Sequence, residues 1–204
     1  MKILLVITGF ILFGTTSLIA DTASFRTIRG EVAYRLSGQN WTKAIQGVSL
    51  PAGTVISTGF HSRAEFDFAG SLIILNPLTQ LTISEFDKNQ ADMTISLFLT
   101  GGTVHVEVKQ DRQHNTHFVV ASPAATVSTR AAGFDFDGNN LLVEHGQVRL
   151  SNHLGMSQSV ATGEFSSASR SPAVTQHLDE TPQLNPLVKT GLSVPNFTLK
   201  LLLQ

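Results

Sequence analysis

Apolar and polar residues alternate with a period of two from Ile28 to about Ser151. Thr103-Val104-His105-Val106-Glu107-Val108-Lys109 keeps the alternation throughout, and so do Gly30-Glu31-Val32-Ala33-Tyr34 and Gly146-Gln147-Val148-Arg149-Leu150. Successive side chains of a strand point to opposite faces, so the pattern predicts strands with one face buried. One phrase occurs twice, as Ala64-Glu65-Phe66-Asp67-Phe68-Ala69-Gly70 and as Ala132-Gly133-Phe134-Asp135-Phe136-Asp137-Gly138. Each copy follows a Thr-Val pair (Thr54-Val55, Thr126-Val127) and leads into an aliphatic run, Leu72 to Leu75 or Leu141 to Val143. Phe66 and Phe68, like Phe134 and Phe136, would share the buried face, with the intervening acids turned to water. The repeat implies one β unit built twice.

Turn signals separate the strands at short intervals: Pro51-Ala52-Gly53, Thr58-Gly59, Ala69-Gly70-Ser71, Asn76-Pro77, Gly101-Gly102, Ser122-Pro123 and Asp137-Gly138-Asn139-Asn140. Gly30, Gly102 and Gly146 each stand two residues before a Val, where glycine suits a turn or bulge ahead of a strand. Many short strands punctuated in this way predict an all-β fold, a sandwich, barrel or solenoid. Asn40 to Ile45 also permits a short helical turn, with Trp41, Ala44, Ile45 and Val48 spaced as one helix face. After Gly163 the texture changes. Phe165 to Arg170 is Ser-rich and Pro172, Pro182, Pro186 and Pro195 follow, which reads as a tail. Its end, Asn196 to Leu203, is apolar again, and Phe197, Leu199 and Leu201 would share a face as a returning strand or a partner contact.

The first residues add an address. Lys2, an apolar run from Ile3 to Phe13, then Thr15, Thr16, Ser17 and Ala20 before Asp21 have the layout of a secretory signal peptide. Cleavage after Ala20 and after Ser17 both fit, and an uncleaved anchor is the competing reading. The expected division is therefore a signal peptide at 1–20, a β domain at 25–164 and a Ser/Pro-rich tail at 165–204. Among the 204 residues there is no cysteine, so the exported fold holds together without disulfides. A chain of this length buries roughly 70% of its surface and needs no staple. Thirteen Phe against one Trp and one Tyr supply the core. Net charge is −1 with both signs interspersed, which argues against electrostatic capture of nucleic acid.

Candidate chemistry is thin. His114 and His117 have ligand-like spacing with His105 nearby, but the alternation makes His105 an outward strand residue and places the other two in a polar loop. Asp135-Phe136-Asp137-Gly138-Asn139-Asn140 resembles a calcium loop only faintly, lacking the distal Glu; an Asp-Gly turn accounts for it. No Gly-x-Ser-x-Gly elbow, His-Glu-x-x-His helix or phosphate-cradling glycine loop is present. Glu65 and Asp67 lie on a face where solvation explains them. The reading is of a protein that is not an enzyme, with no catalytic or metal residues assigned and no cofactor. Trp41 and Tyr34 could form a sugar-stacking platform, or pack in the core or at its rim.

The order of these words resembles the FecR domain, an extracytoplasmic module of bacterial iron-uptake signalling proteins that also occurs in standalone exported proteins. Gly30-Glu31-Val32, Trp41, Leu50 to Gly59, Ser62 to Phe66 and the strand ending at Pro77 are similar to the family's first half. Leu99 to Val104, Phe118 to Pro123 and Val143 to Val148 are similar to its second, so the resemblance spans Ile28 to Glu164. Where the family has Arg-Gly-Thr-x-Phe, this chain has Arg130-Ala131-Ala132-Gly133-Phe134. The resemblance implies an antiparallel β-sandwich or solenoid of two quasi-repeats. Signalling members join it through a membrane helix to a cytoplasmic sigma-factor-binding segment. Here only Met1 and Lys2 precede the apolar run, so the expectation is the exported module alone, periplasmic or extracellular. It would recognise an envelope or outer-membrane protein in signal sensing or regulation. The alternative is a structural module associated with peptidoglycan or another glycan. Candidate contacts for a partner or ligand are Trp41, Tyr34, Arg130 and Phe197.

Overall fold

The computed structural model describes residues 23–89, 92–110, 114–168 and 176–177. Seventeen strands and no helix occur among them. In chain order they are β1 (Ala23–Arg29), β2 (Val32–Arg35), β3 (Thr42–Lys43), β4 (Ser49–Leu50), β5 (Val55–Thr58), β6 (Arg63–Phe68), β7 (Ser71–Leu75), β8 (Gln80–Lys88) and β9 (Asp92–Gly101). They continue as β10 (Val104–Val108), β11 (Asn115–Ala121), β12 (Ala125–Thr129), β13 (Ala132–Phe136), β14 (Asn140–Asn152), β15 (Ser157–Ala161), β16 (Glu164–Ser167) and β17 (Gln176–His177). No helix among the described residues is long and apolar enough to cross a membrane.

The strands pair in two layers. One runs β4–β1–β6–β7–β10–β13–β14–β16–β17, the other β3–β2–β5–β8–β9–β11–β12–β14–β15. The long β14 belongs to both, so the layers form one large, open sheet folded over itself. The sheet is antiparallel except where β9 and β11 run parallel, an exception the period-two pattern could not reveal. Both layers feed one hydrophobic core.

The duplicated phrase forms β6 and β13, and its partners β7 and the first half of β14 complete two hairpins of the same plan. Each hairpin bends over the core, because β5 pairs with β8 as β12 pairs with the second half of β14. Phe66, Phe68, Phe134 and Phe136 are all fully buried, as the alternation requires. Across the first layer the register aligns Phe25, Phe66, Ile73, Val106, Phe134 and Val143 in one inward row. Each such ring contributes about 1.5–3 kcal/mol by leaving water.

Strand β10 lies between the hairpins, bonded to β7 on one side and β13 on the other. The β6–β7, β7–β10 and β10–β13 pairings are all antiparallel, so β6 and β13 run in opposite directions and the bends of the two copies lie at opposite edges. At the first edge the chain crosses between layers at Gly30, at Gly59 to Ser62, at Asn76 to Thr79 and at Gly102. Gly30 and Gly102 have φ of 72° and 90°, and a Cβ on Gly102 would collide with Thr79. Ladder bonds fail at such bends, and buried hydroxyls replace them. Glu31 N donates to Ser62 Oγ (2.8 Å), Thr79 N to Thr58 Oγ1 (2.9 Å) and Thr103 N to Thr79 Oγ1 (3.0 Å).

Two segments are decided by their strand partners. The segment around Trp41 is extended, not helical: Thr42 and Lys43 pair with Tyr34 and Ala33 of β2, and Ala44 N donates to Val32 O. Backbone pairing to an existing strand outweighs a weak one-turn helical pattern. His117 lies in β11 and not in a loop, because Asn115 to Ala121 pair with β9. The signal-peptide stretch lies outside the described residues, as does most of the tail expected at 165–204, Phe197 included; the tail's first residues complete β16, and Gln176–His177 forms β17.

Candidate functional site

Three surface regions carry side chains that the core does not use. The first is the rim where β2 and β3 meet the first bend. Trp41, just ahead of β3, is 44% exposed, and the Arg35 guanidinium stands 5.0 Å from its ring centroid. That cation–π contact holds the indole against the surface. Beside it runs a groove of about 440 Å³ lined by Glu31, Ala33, Trp41, Lys43, Ser57 and Gly59. The next residue, Phe60, is 76% exposed, and Leu78, whose N–H donates to Gly59 O, is 55% exposed. Tyr34 does not join Trp41 in a platform. Its ring packs on Phe25 at 6.2 Å, against the core.

The second region lies at the opposite edge, around Arg130. A groove of about 530 Å³ is lined by Arg130, Arg149, His117, Gln147, Ser128 and Ser159, among others. Two guanidiniums and an imidazole, with no carboxylate among the described lining residues, favour a negatively charged group. Arg130 and Trp41 therefore belong to different edges, and the structure does not bring them together.

The third region is the outer face of the first layer, and sequence reasoning missed it. Register sets His105 of β10 opposite Asp135 of β13, and His105 Nδ1 lies 3.1 Å from Asp135 Oδ1 and 3.8 Å from Glu144 Oε1. The ligand-type atoms of these three residues all lie within 4.8 Å of one another. A bulge in β14 produces the convergence. Gly133 pairs with His145 but Phe134 with Val143, so the alternation slips and Glu144 and His145 both face out. His145 Nε2 reaches Glu107 Oε1 at 2.7 Å across the backbone of Gly133. A Cβ at 133 would sit 2.6 Å from both Glu107 Oε2 and His145 Nε2, so only glycine leaves this path open. The hydrogen bond to Asp135 raises the His105 pKa above the ordinary imidazole value against the opposing effect of burial, and the charges of Asp135, Glu144 and Glu107 add to it. His105 and His117 occupy different layers, so the spacing that linked His114 and His117 to His105 does not make a shared site.

Asp137 is a turn residue. Its Oδ1 accepts from Asn139 N (2.9 Å) and Asn140 N (2.7 Å), and Oδ2 from Asn140 Nδ2 (2.8 Å). These bonds occupy the carboxylate that a calcium loop would have offered.

Comparison with known proteins agrees with the fold. The family model described as FecR protein matches residues 54–151. Two crystal structures of a candidate anti-sigma factor from Parabacteroides distasonis ATCC 8503, at 1.65 and 2.50 Å resolution, share the fold with a TM-score of 0.51. Each is 14% identical in sequence, and the match covers 60% of this chain and 59% of that one. No curated protein matches the sequence. The family match starts at Thr54, just before β5, and ends at Ser151, one residue short of the end of β14. It thus takes in both bent hairpins and the strands between them, Phe60 and Leu78 included, and leaves out β1 to β4 and Trp41. Residues 54–151, the two-copy β domain, therefore match the FecR family model across just under half of the 204-residue chain.

Proposed function

We propose that this chain is an exported FecR-type recognition module of the bacterial envelope, binding an envelope or outer-membrane protein in signal sensing or regulation. The observation that carries this reading is the apolar rim of Trp41, Phe60 and Leu78, left in water although Phe25, Phe66, Phe68, Phe118, Phe134 and Phe136 are buried. Exposed aromatic and aliphatic groups at one edge are what a protein partner uses as anchors. The two-residue β3 beside them is a sheet edge, which a partner segment can extend through main-chain hydrogen bonds. The match of residues 54–151 to the FecR family model supports a regulatory role, and the candidate anti-sigma factor of the same fold is consistent with it. The Lys2-to-Ala20 stretch supports export.

Site-specific photocrosslinking in intact cells tests the proposal. A crosslinker at position 60 should give one saturable protein adduct, lost in Trp41→Ala, whereas a crosslinker at the exposed Leu154 should not. Equal adducts from both positions would remove the rim from consideration. Co-sedimentation with purified peptidoglycan that depends on Trp41 would instead establish the glycan-associated alternative.

A further inference from the structure

We propose that His105, Asp135 and Glu144 form a binding site for a divalent transition-metal ion of zinc type on the outer face of the first layer. One imidazole and two carboxylates on neighbouring strands supply a borderline donor set, and water completes the coordination. Ligand atoms about 2.0–2.2 Å from a shared zinc ion stand roughly 3–4 Å apart. The separations from His105 Nδ1, 3.1 and 3.8 Å, already fall in that range. Glu144 is half exposed, so its carboxylate can swing the remaining distance without disturbing the core.

Ordinary ion pairing explains this arrangement less well. A single Nδ1–H can donate to one acceptor, and Asp135 takes it. Glu144 is brought alongside by the bulge although 3.8 Å is too long for a hydrogen bond, which sets two carboxylates side by side around one imidazole. A dication between them resolves the repulsion. The first copy of the repeat supplies a built-in comparison: Asp67 of β6, the counterpart of Asp135, pairs with Leu72 of β7 and Ser24 of β1, where Asp135 has Leu142 and His105. The neighbouring His145–Glu107 pair lies on the same face, where it adds negative charge without being needed as a ligand. Calcium and magnesium fit poorly, because both select sites built from oxygen alone.

Isothermal titration of the EDTA-stripped, dialysed exported chain with zinc chloride, with thermal unfolding in parallel, is the test. One zinc ion per chain and a rise in melting temperature are expected, and calcium chloride should give neither. His105→Gln and Glu144→Gln should each weaken binding at least about 10-fold, while His145→Gln and His117→Gln should stay within about twofold. Glu144 is exposed enough that its variant keeps the fold, so a folding failure of the His105 variant cannot hide the answer. Absence of saturable zinc binding, or binding that survives in Glu144→Gln and disappears in His117→Gln, would overturn the assignment.

Discussion

The two bent hairpins follow one hydrogen-bonding plan and bury equivalent Phe pairs, yet their outward surfaces have diverged. In the first copy the outer face of β6 and β7 offers Glu65, Asp67, Leu72 and the nearly buried Ile74. In the second, Gly133, Asp135, Leu142 and His145 stand in the corresponding places, and a bulge adds Glu144, so that two consecutive residues face outward. The bends differ as well. Five residues separate Thr58 from Ala64, so the first bend swings out and exposes Phe60, whereas two residues separate Thr129 from Ala132. The inner faces are alike because both copies fill the same core and any change there leaves a cavity. The outer faces carry no such constraint, and each copy has taken up different chemistry: apolar anchors at one edge, a His–carboxylate cluster on the face beside the other.

The hardest test of this equivalence removes one ring from each copy. Phe66→Ala and Phe134→Ala should each cost about 3–5 kcal/mol, because both side chains are wholly buried in the same inward row. Urea denaturation at matched conditions checks this. A loss in one copy less than half that in the other would mean the hairpins are not energetic counterparts.

Glycine substitutions separate bend from turn. Gly146 has φ of 87°, and an added Cβ would meet Ala131 O at 2.6 Å and the Cα of Ala132 at 2.9 Å. Backbone atoms cannot yield as a flexible side chain would. Gly146→Ala should therefore cost more than about 2 kcal/mol. Gly70, at φ 82° in the first copy's turn, has open space around it, so Gly70→Ala should cost only about 1 kcal/mol from backbone conformation.

Equivalent threonines sharpen the comparison further. Thr58 Oγ1 donates to Asn76 O at 2.6 Å while accepting from buried Thr79 N at 2.9 Å; Thr129 Oγ1 makes one bond, to Gln147 O at 2.9 Å. Thr58→Val strands a buried donor and should cost about 2 kcal/mol, against about 1 kcal/mol for Thr129→Val. Equal losses in thermal unfolding would show that the hydroxyl ladder at the first edge does not support the bend.

What could be seen in the sequence follows from the same division. The buried Phe pairs were legible because a period of two is a local property, and the repeated phrase doubled the signal. Gly30, Gly102 and Gly146 were legible as points where strands begin. Their tight packing against Ser62, Thr79 and Ala131 was not, since those contacts depend on how distant strands meet. The His105–Asp135 pair depends on the register of β10 against β13, thirty residues apart in sequence. One residue of slippage would have turned either side chain inward. The spacing of His114 and His117 was uninformative for a related reason: it says nothing about which layer a strand joins. The bulge at Glu144 left a trace, two charged or polar residues where alternation calls for one, and that break is the signal that could have found the cluster.

The smallest expected effect concerns the hairpin turns, where Asp137 of the second copy stands in the place of Ala69. Partial burial works against the Asp137 carboxylate, but hydrogen bonds from the Asn140 side chain and from the Asn140 and Asn139 N–H groups outweigh it and lower the pKa. A carboxyl whose folded pKa is depressed adds stability above its unfolded pKa, near 3.8, and loses it as the pH falls through the lower folded value. The stability of the wild type should therefore decline below about pH 4 more steeply than that of Asp137→Asn. The amide keeps one acceptor for the turn but cannot titrate, so the difference between the two curves isolates this group. Parallel curves in urea melts between pH 5 and pH 2.5 would mean the Asp137 turn is no more acid-sensitive than the Ala69 turn it replaced.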